Sequence, residues 1–173
     1  MEERLKALKL AMEREAEAKA FYLEASRKMT NDFAQDMFQS LARDEERHLR
    51  TVKAVFDRLS KERAWPKQVT SIGDTVTVRT VSLADVRSIE VAAKKDLDVS
   101  RGILKLGIER EEWSMEFYHE LAEKATDPFE KRFFIALEHE ERGHYLTLWD
   151  YREFLEDPEG WFNMKEGFRL DAG

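Results

Sequence analysis

The sequence predicts an all-α fold: a four-helix bundle built from two duplicated helical hairpins joined by a long crossover. Three observations carry that expectation. Apolar residues recur at three- and four-residue steps over two long stretches, as on the inward faces of amphipathic helices. Helix breakers are scarce, with 7 Gly and 3 Pro in 173 residues, and the 42% apolar and 38% charged composition suits a helix-rich protein with a real core. The chain also repeats itself. Residues 8–59 laid on residues 104–155, at an offset of 96, give 18 identities in 52 positions, among them Leu8/Leu104, Phe21/Phe117, Phe38/Phe134 and Leu41/Leu137.

The first hairpin is expected over about residues 2–63. Leu5, Leu8, Met12 and Tyr22 mark one inward face, and Phe38, Leu41, Val52, Val55 and Leu59 the next. The break falls at Met29-Thr30-Asn31-Asp32, where Asn31 suits an N-cap. Residues 64–98 form the crossover, long enough to run the length of a bundle. Within it Trp65-Pro66 ends the second helix, Thr75–Val81 alternates like a short strand, and Ser82 caps a small helix through Ala93. The second hairpin spans about residues 100–156 and breaks at Thr126-Asp127-Pro128. There Asp127, Pro128 and Glu130 occupy N-cap, first-turn proline and capping-box positions. Asp157-Pro158-Glu159-Gly160 reads as a turn, after which Trp161, Phe162, Met164 and Phe168 fold back as an apolar cap over 157–173. The whole chain, 1–173, is expected to be one domain.

Charge and composition exclude several functions. With 29 basic and 36 acidic side chains the net charge is −7, which opposes nucleic-acid binding. No run of 18 apolar residues spans a membrane, and the charged start Met1-Glu2-Glu3-Arg4 does not resemble a signal peptide, so a cytoplasmic location is expected. The absence of cysteine removes disulfides, thiol catalysis, iron–sulfur clusters and cysteine-based zinc sites. Metal chemistry must rest on Asp, Glu and the four histidines, His48, His119, His139 and His144.

One set of polar matches in the repeat stands apart: Glu15/Glu111, Tyr22/Tyr118, Glu45/Glu141 and His48/His144. Each half reads Glu, thirty residues on a second Glu, and a His three further. Glu and His at i and i+3 share one helical face. Glu15 and Glu45 lie about fifteen residues either side of the first break, hence ~22 Å from it and at one height on antiparallel helices. Glu111 and Glu141 do the same about the second. Leu8, Tyr22, Phe38, Leu41 and Val52 flank these carboxylates, so the glutamates are expected to point inward. Four buried carboxylates at one level need cations, and two divalent ions with two neutral imidazoles satisfy them. The expected metal ligands are therefore Glu15, Glu45, His48, Glu111, Glu141 and His144, and the oxygen and imidazole donors suit iron, with manganese or zinc as other occupants.

Tyr22 and Tyr118 sit two turns from Glu15 and Glu111 and are expected either to hydrogen-bond a ligand carboxylate or to fill the core. Glu46, Glu112 and Glu140 adjoin ligands but are rotated ~100° away, and are expected at the surface. Glu13 and Glu109 face elsewhere, and His119 and His139 lie off the ligand face.

The motifs Phe21-Tyr22, Asp44-Glu45-Glu46-Arg47-His48, Glu111 with Tyr118, and Glu140-Glu141-Arg142-Gly143-His144 resemble the rubrerythrin branch of the ferritin-like superfamily, over residues 5–63 and 100–165. The resemblance implies a ferritin-like bundle holding two iron ions. Glu45 and Glu141 would bridge, Glu15 and Glu111 would be terminal, and His48 and His144 would serve one iron each. The four-cysteine rubredoxin-like domain of full rubrerythrins is missing. So is a glutamate one turn before the third-helix ligand, where Ile108 stands. The implied activity is reduction of peroxide or dioxygen with electrons from an external donor protein such as a rubredoxin. The alternatives are a ferroxidase or iron handler, a non-enzymatic metal or oxygen sensor, and an oxygenase. A homodimer is expected, its hairpins pairing within a chain or swapped between chains, with Thr75–Val81 near the interface.

Overall fold

The computed structural model describes residues 1–66 and 77–170. Among these residues five helices follow in order: α1 (Glu2–Lys28), α2 (Asp32–Glu62), α3 (Leu83–Lys124), α4 (Pro128–Glu156) and α5 (Pro158–Leu170). The first four pair as hairpins, α1 on α2 and α3 on α4, giving the ferritin-like four-helix bundle that the duplication predicts.

Both hairpin breaks work as read. The Asn31 side chain accepts from the Ala34 N–H at 2.8 Å, and its amide donates to the buried Tyr151 hydroxyl on α4 at 3.0 Å. Asp127 accepts from the N–H groups of Phe129 and Glu130, with Pro128 at the first helical position. Glu130, however, does not close a capping box. Its carboxylate is buried and receives the Arg4 guanidinium at 2.9 Å, tying the start of α1 to the start of α4.

Three expectations about the connections need correction. Ser82 does cap a helix, in a capping box with Asp85, but that helix is α3 itself, running 42 residues without interruption. No proline lies between Ser82 and Lys124 to stop it, and only Gly102 and Gly107 weaken it, each by about 1 kcal/mol relative to alanine. The crossover is correspondingly shorter than 64–98. The described part of the alternating segment, Thr77–Val81, is not a strand; Thr75 and Val76 lie outside the described residues. The Arg79 N–H donates to Thr147 Oγ1 at 3.0 Å and the Val81 N–H to Asp150 Oδ2 at 2.8 Å. The period of two thus comes from an extended segment pinned to α4 by alternate residues, with side chains taking the place of a partner strand. Finally, Asp157-Pro158-Glu159-Gly160 is no separate turn. Asp157 ends α4, and Pro158 starts α5 at once, as proline can where no N–H is needed. The expected cap holds for Trp161, which packs edge-on against Phe154 and donates to Asp150 Oδ1 at 3.1 Å. Phe162 and Met164 pack on the same core, while the Phe168 side chain lies outside the described residues.

The core is split in two. One apolar cluster gathers Tyr22, Met37, Phe38, Leu41, Leu104, Ile108, Leu148 and Tyr151. The other gathers Leu8, Ala11, Val52, Val55, Leu59, Tyr118, Phe134 and Leu137. On every helix of the bundle one short span separates residues of one cluster from residues of the other. Those spans hold Glu15, Glu45 with His48, Glu111, and Glu141 with His144. Burying each large side chain contributes about 1.5–3 kcal/mol, so the polar layer is sealed above and below by strongly held apolar plugs.

Candidate metal centre

Each helix of the bundle contributes its polar residues at the same level. All six predicted ligands are buried, none more than 4% exposed. They form two overlapping quartets whose donor atoms lie within 4.8 Å of one another: Glu15, Glu45, His48 and Glu141, and Glu45, Glu111, Glu141 and His144. Glu45 and Glu141 belong to both. His48 Nδ1 lies 3.3 Å from Glu15 Oε2, 3.4 Å from Glu45 Oε2 and 3.3 Å from Glu141 Oε1. His144 Nδ1 lies 3.1 Å from Glu45 Oε1, 3.2 Å from Glu141 Oε2 and 3.8 Å from Glu111 Oε2. The two rings stand nearly parallel, their centroids 5.5 Å apart.

These atoms converge without satisfying one another. Glu15 Oε2, Glu45 Oε1, Glu141 Oε1 and both Nδ1 atoms are fully enclosed and make no hydrogen bond among the described residues. A buried polar atom left without a partner costs about 1–3 kcal/mol, more when charged. Five such atoms aimed at one centre describe a coordination set, and the donors are those that divalent iron or manganese accepts.

Electrostatics lead to the same conclusion. Burial, then the charge of Glu141, pushes Glu15 and Glu111 well above the ordinary carboxylate range. For Glu45 and Glu141 burial also pushes upward, but the adjoining imidazoles outweigh it and hold both below that range. Burial would lower His48 and His144, yet the surrounding carboxylates raise both well above the ordinary imidazole value. Without cations the layer is neutralised by protons, and cations would displace them.

The tyrosines bond to ligands, in a crossed pattern. The Tyr22 hydroxyl on α1 donates to Glu111 Oε1 on α3, and the Tyr118 hydroxyl on α3 donates to Glu15 Oε1 on α1. In both glutamates Oε1 is thereby taken and Oε2 is left facing the imidazole. Burial and the glutamate opposite push both phenols well above their ordinary value, so they remain donors.

Glu140 is the residue the sequence reading misplaced. It is buried, not at the surface, and its Oε2 lies 2.8 Å from His48 Nε2. A carboxylate accepts, so the ring presents its Nε2–H to Glu140 and turns Nδ1 to the centre, where a bound cation would take the place of a proton. Standing one residue before Glu141, Glu140 is rotated away from the bundle axis but toward α2, where His48 stands. The signal available was the repeat, which pairs Glu140 with the acidic Asp44. Glu112, Glu13 and Glu109 are exposed and Glu46 half-buried, and His119 and His139 are exposed, all away from the centre.

A groove of about 320 Å³ between α1 and α3, lined by Arg14, Arg110, Trp113 and Ser114, reaches Glu111. No described helix is long and apolar enough to cross a membrane.

The rubrerythrin family model matches residues 6–150, which include all six converging residues. Among solved structures, a hypothetical protein from Pyrococcus furiosus superposes with a TM-score of 0.62 at 25% identity, over 88% of this chain and 89% of that one. No curated protein matches the chain.

Proposed function

The chain belongs to the rubrerythrin family, and on that premise we propose that it is a non-haem diiron oxidoreductase that reduces peroxide. The observation that carries this reading is the pair of buried quartets sharing Glu45 and Glu141, a donor set for two metal ions side by side. Glu15, Glu45 and His48 would hold one ion with Glu141, and Glu111, Glu141 and His144 the other with Glu45. Bound as a pair, two ferrous ions supply two electrons together to an O–O bond.

The chain's own groups do the rest. Tyr118 and Tyr22 fix Glu15 and Glu111 through Oε1, so each glutamate offers Oε2 without rotating. Glu140 holds the His48 ring by its outer nitrogen. The two apolar clusters keep bulk water from the layer. The groove at Glu111 gives a small oxidant a way in, while its lining by Arg14 and Arg110 favours an approach by polar molecules. With no cysteine among the 173 residues, no cysteine-bound iron lies within them to return electrons, so the electrons come from outside them, and an external donor protein is the expected source. A homodimer is the expected assembly, checked by mass in solution.

The test is single-turnover oxidation of iron-loaded, anaerobically reduced protein, with hydrogen peroxide and with dioxygen. The proposal expects the faster reaction with peroxide, two irons retained per chain, and a centre that a reductant resets. Repeated uptake of ferrous iron with release of ferric product and no peroxide preference would instead establish a ferroxidase.

A further inference from the structure

The two halves of the centre are copies in their six inward residues but not in what stands behind the imidazoles. At the offset of 96, Glu140 corresponds to Asp44 and Gly143 to Arg47. Behind His48, Glu140 Oε2 lies 2.8 Å from Nε2, and Arg47 Nη2 holds the same oxygen at 2.6 Å. The Glu140 side chain is 3% exposed. Behind His144 stands Asp44, one methylene shorter. Its Oδ2 stops 3.8 Å from Nε2, beyond hydrogen-bond reach, and its side chain is 32% exposed. Arg47 draws the other Asp44 oxygen at 2.9 Å, and Gly143 offers no side chain where Arg47 stands in the first half.

A carboxylate on the outer N–H of a ligand imidazole fixes the tautomer, orients the ring and raises the basicity of the inner nitrogen. Among the described residues, only one of the two rings has that support at hydrogen-bond distance. We propose that the two metal positions are unequal: the one formed by Glu15 and His48 fills before the one formed by Glu111 and His144, and Glu140 is the positioning residue that sets the order. Arg47 tempers the charge on Glu140 but locks its geometry, and does so while pulling Asp44 off the other ring. The divergence of positions 44/140 and 47/143 thus gives one site priority in a layer whose direct ligands stayed identical. The inference rests on the dimetal reading above.

The experiment uses the metal-free full chain, labelled with ¹⁵N in its histidines and titrated with Zn(II), with affinity read by competition against a chromophoric chelator. At one equivalent the ring signals of His48 are expected to move and those of His144 to stay, moving only with the second equivalent. Glu140→Ala should weaken the first step by about 10–100-fold and abolish the order, whereas Glu140→Gln, whose amide oxygen can still accept from Nε2–H, restores part of it. Asp44→Glu, which lets a carboxylate reach His144, should strengthen the second step. Circular dichroism of each metal-free variant separates a lost fold from a lost preference. Joint movement of both histidines in the unmodified protein, or an unchanged order in folded Glu140→Ala, overturns the proposal. Failure of Zn(II) and iron alike to bind removes the dimetal reading with it.

Discussion

Tyr118→Phe removes one oxygen and keeps the ring, which makes it a clean probe of the crossed hydrogen bonds. The ring is enclosed at 1% exposure and packs on Phe117 and Phe134, so its apolar contacts survive the change. What is lost is the donor to Glu15 Oε1, and the acceptor left behind is itself 3% exposed. A vacancy the size of one hydroxyl admits no water with enough polar partners to replace it. A neutral hydrogen bond contributes about 0.5–1.5 kcal/mol and one to a charged group about 1.5–3 kcal/mol, so the loss should lie near 1–3 kcal/mol. For a chain of this size each kcal/mol corresponds to roughly 2–4 °C, giving a fall of about 2–12 °C in the melting temperature of the metal-free protein. The cost should grow as pH rises, because Glu15 then carries more charge that the hydroxyl no longer offsets. Thermal and urea unfolding of the metal-free variant against the unmodified chain provide the assay, with exposed His119→Ala as the control. A change within about 0.5 kcal/mol, the range of ordinary surface substitutions, would refute the claim that the tyrosine holds the glutamate.

Glu45→Ala or Glu141→Ala should each strip both ions, since each carboxylate serves both quartets, whereas Glu15→Ala or Glu111→Ala should leave about half the metal content by elemental analysis. Stability of the metal-free fold should fall as pH rises from about 6 to about 9. Glu15, Glu111, His48 and His144 all bind protons more tightly folded than unfolded, so what they contribute is complete below their unfolded values and is lost as pH climbs through the folded ones. Glu45 and Glu141 are shifted down and run the other way, losing their contribution only in acid, and metal loading should flatten the alkaline decline. Unfolding curves at the two pH values, with and without metal, decide it. Asp127→Ala, which orphans two N–H groups at the start of α4, should cost about 1 kcal/mol in the same assay, with no loss of metal.

Much of this was legible before any coordinates, for definite physical reasons. Helical periodicity and an ungapped repeat constrain each other: equal spacing in both halves places Glu15, Glu45, Glu111 and Glu141 at one height whatever the loops do. The connections were less legible. An α-helix continues wherever nothing stops it, so a stretch such as 94–98 reads as loop although tertiary contacts on either side carry α3 straight through. The alternation at 77–81 was real, but periodicity reports which residues face a surface, not whether that surface is a sheet or a helix. Glu140 was missed for a similar reason. A helical wheel says which side chains leave the axis of their own helix and nothing about the neighbour they meet.

The crossed tyrosines carry one more consequence. Each hairpin holds the other's terminal glutamate, so neither half can hold its own outer carboxylate in place before the two have docked. A correctly loaded centre is therefore a report that the halves have met in the right register, and an ion seated there would close the latch. The same exchange describes two identical hairpins meeting about a twofold axis, each lending the other a phenol.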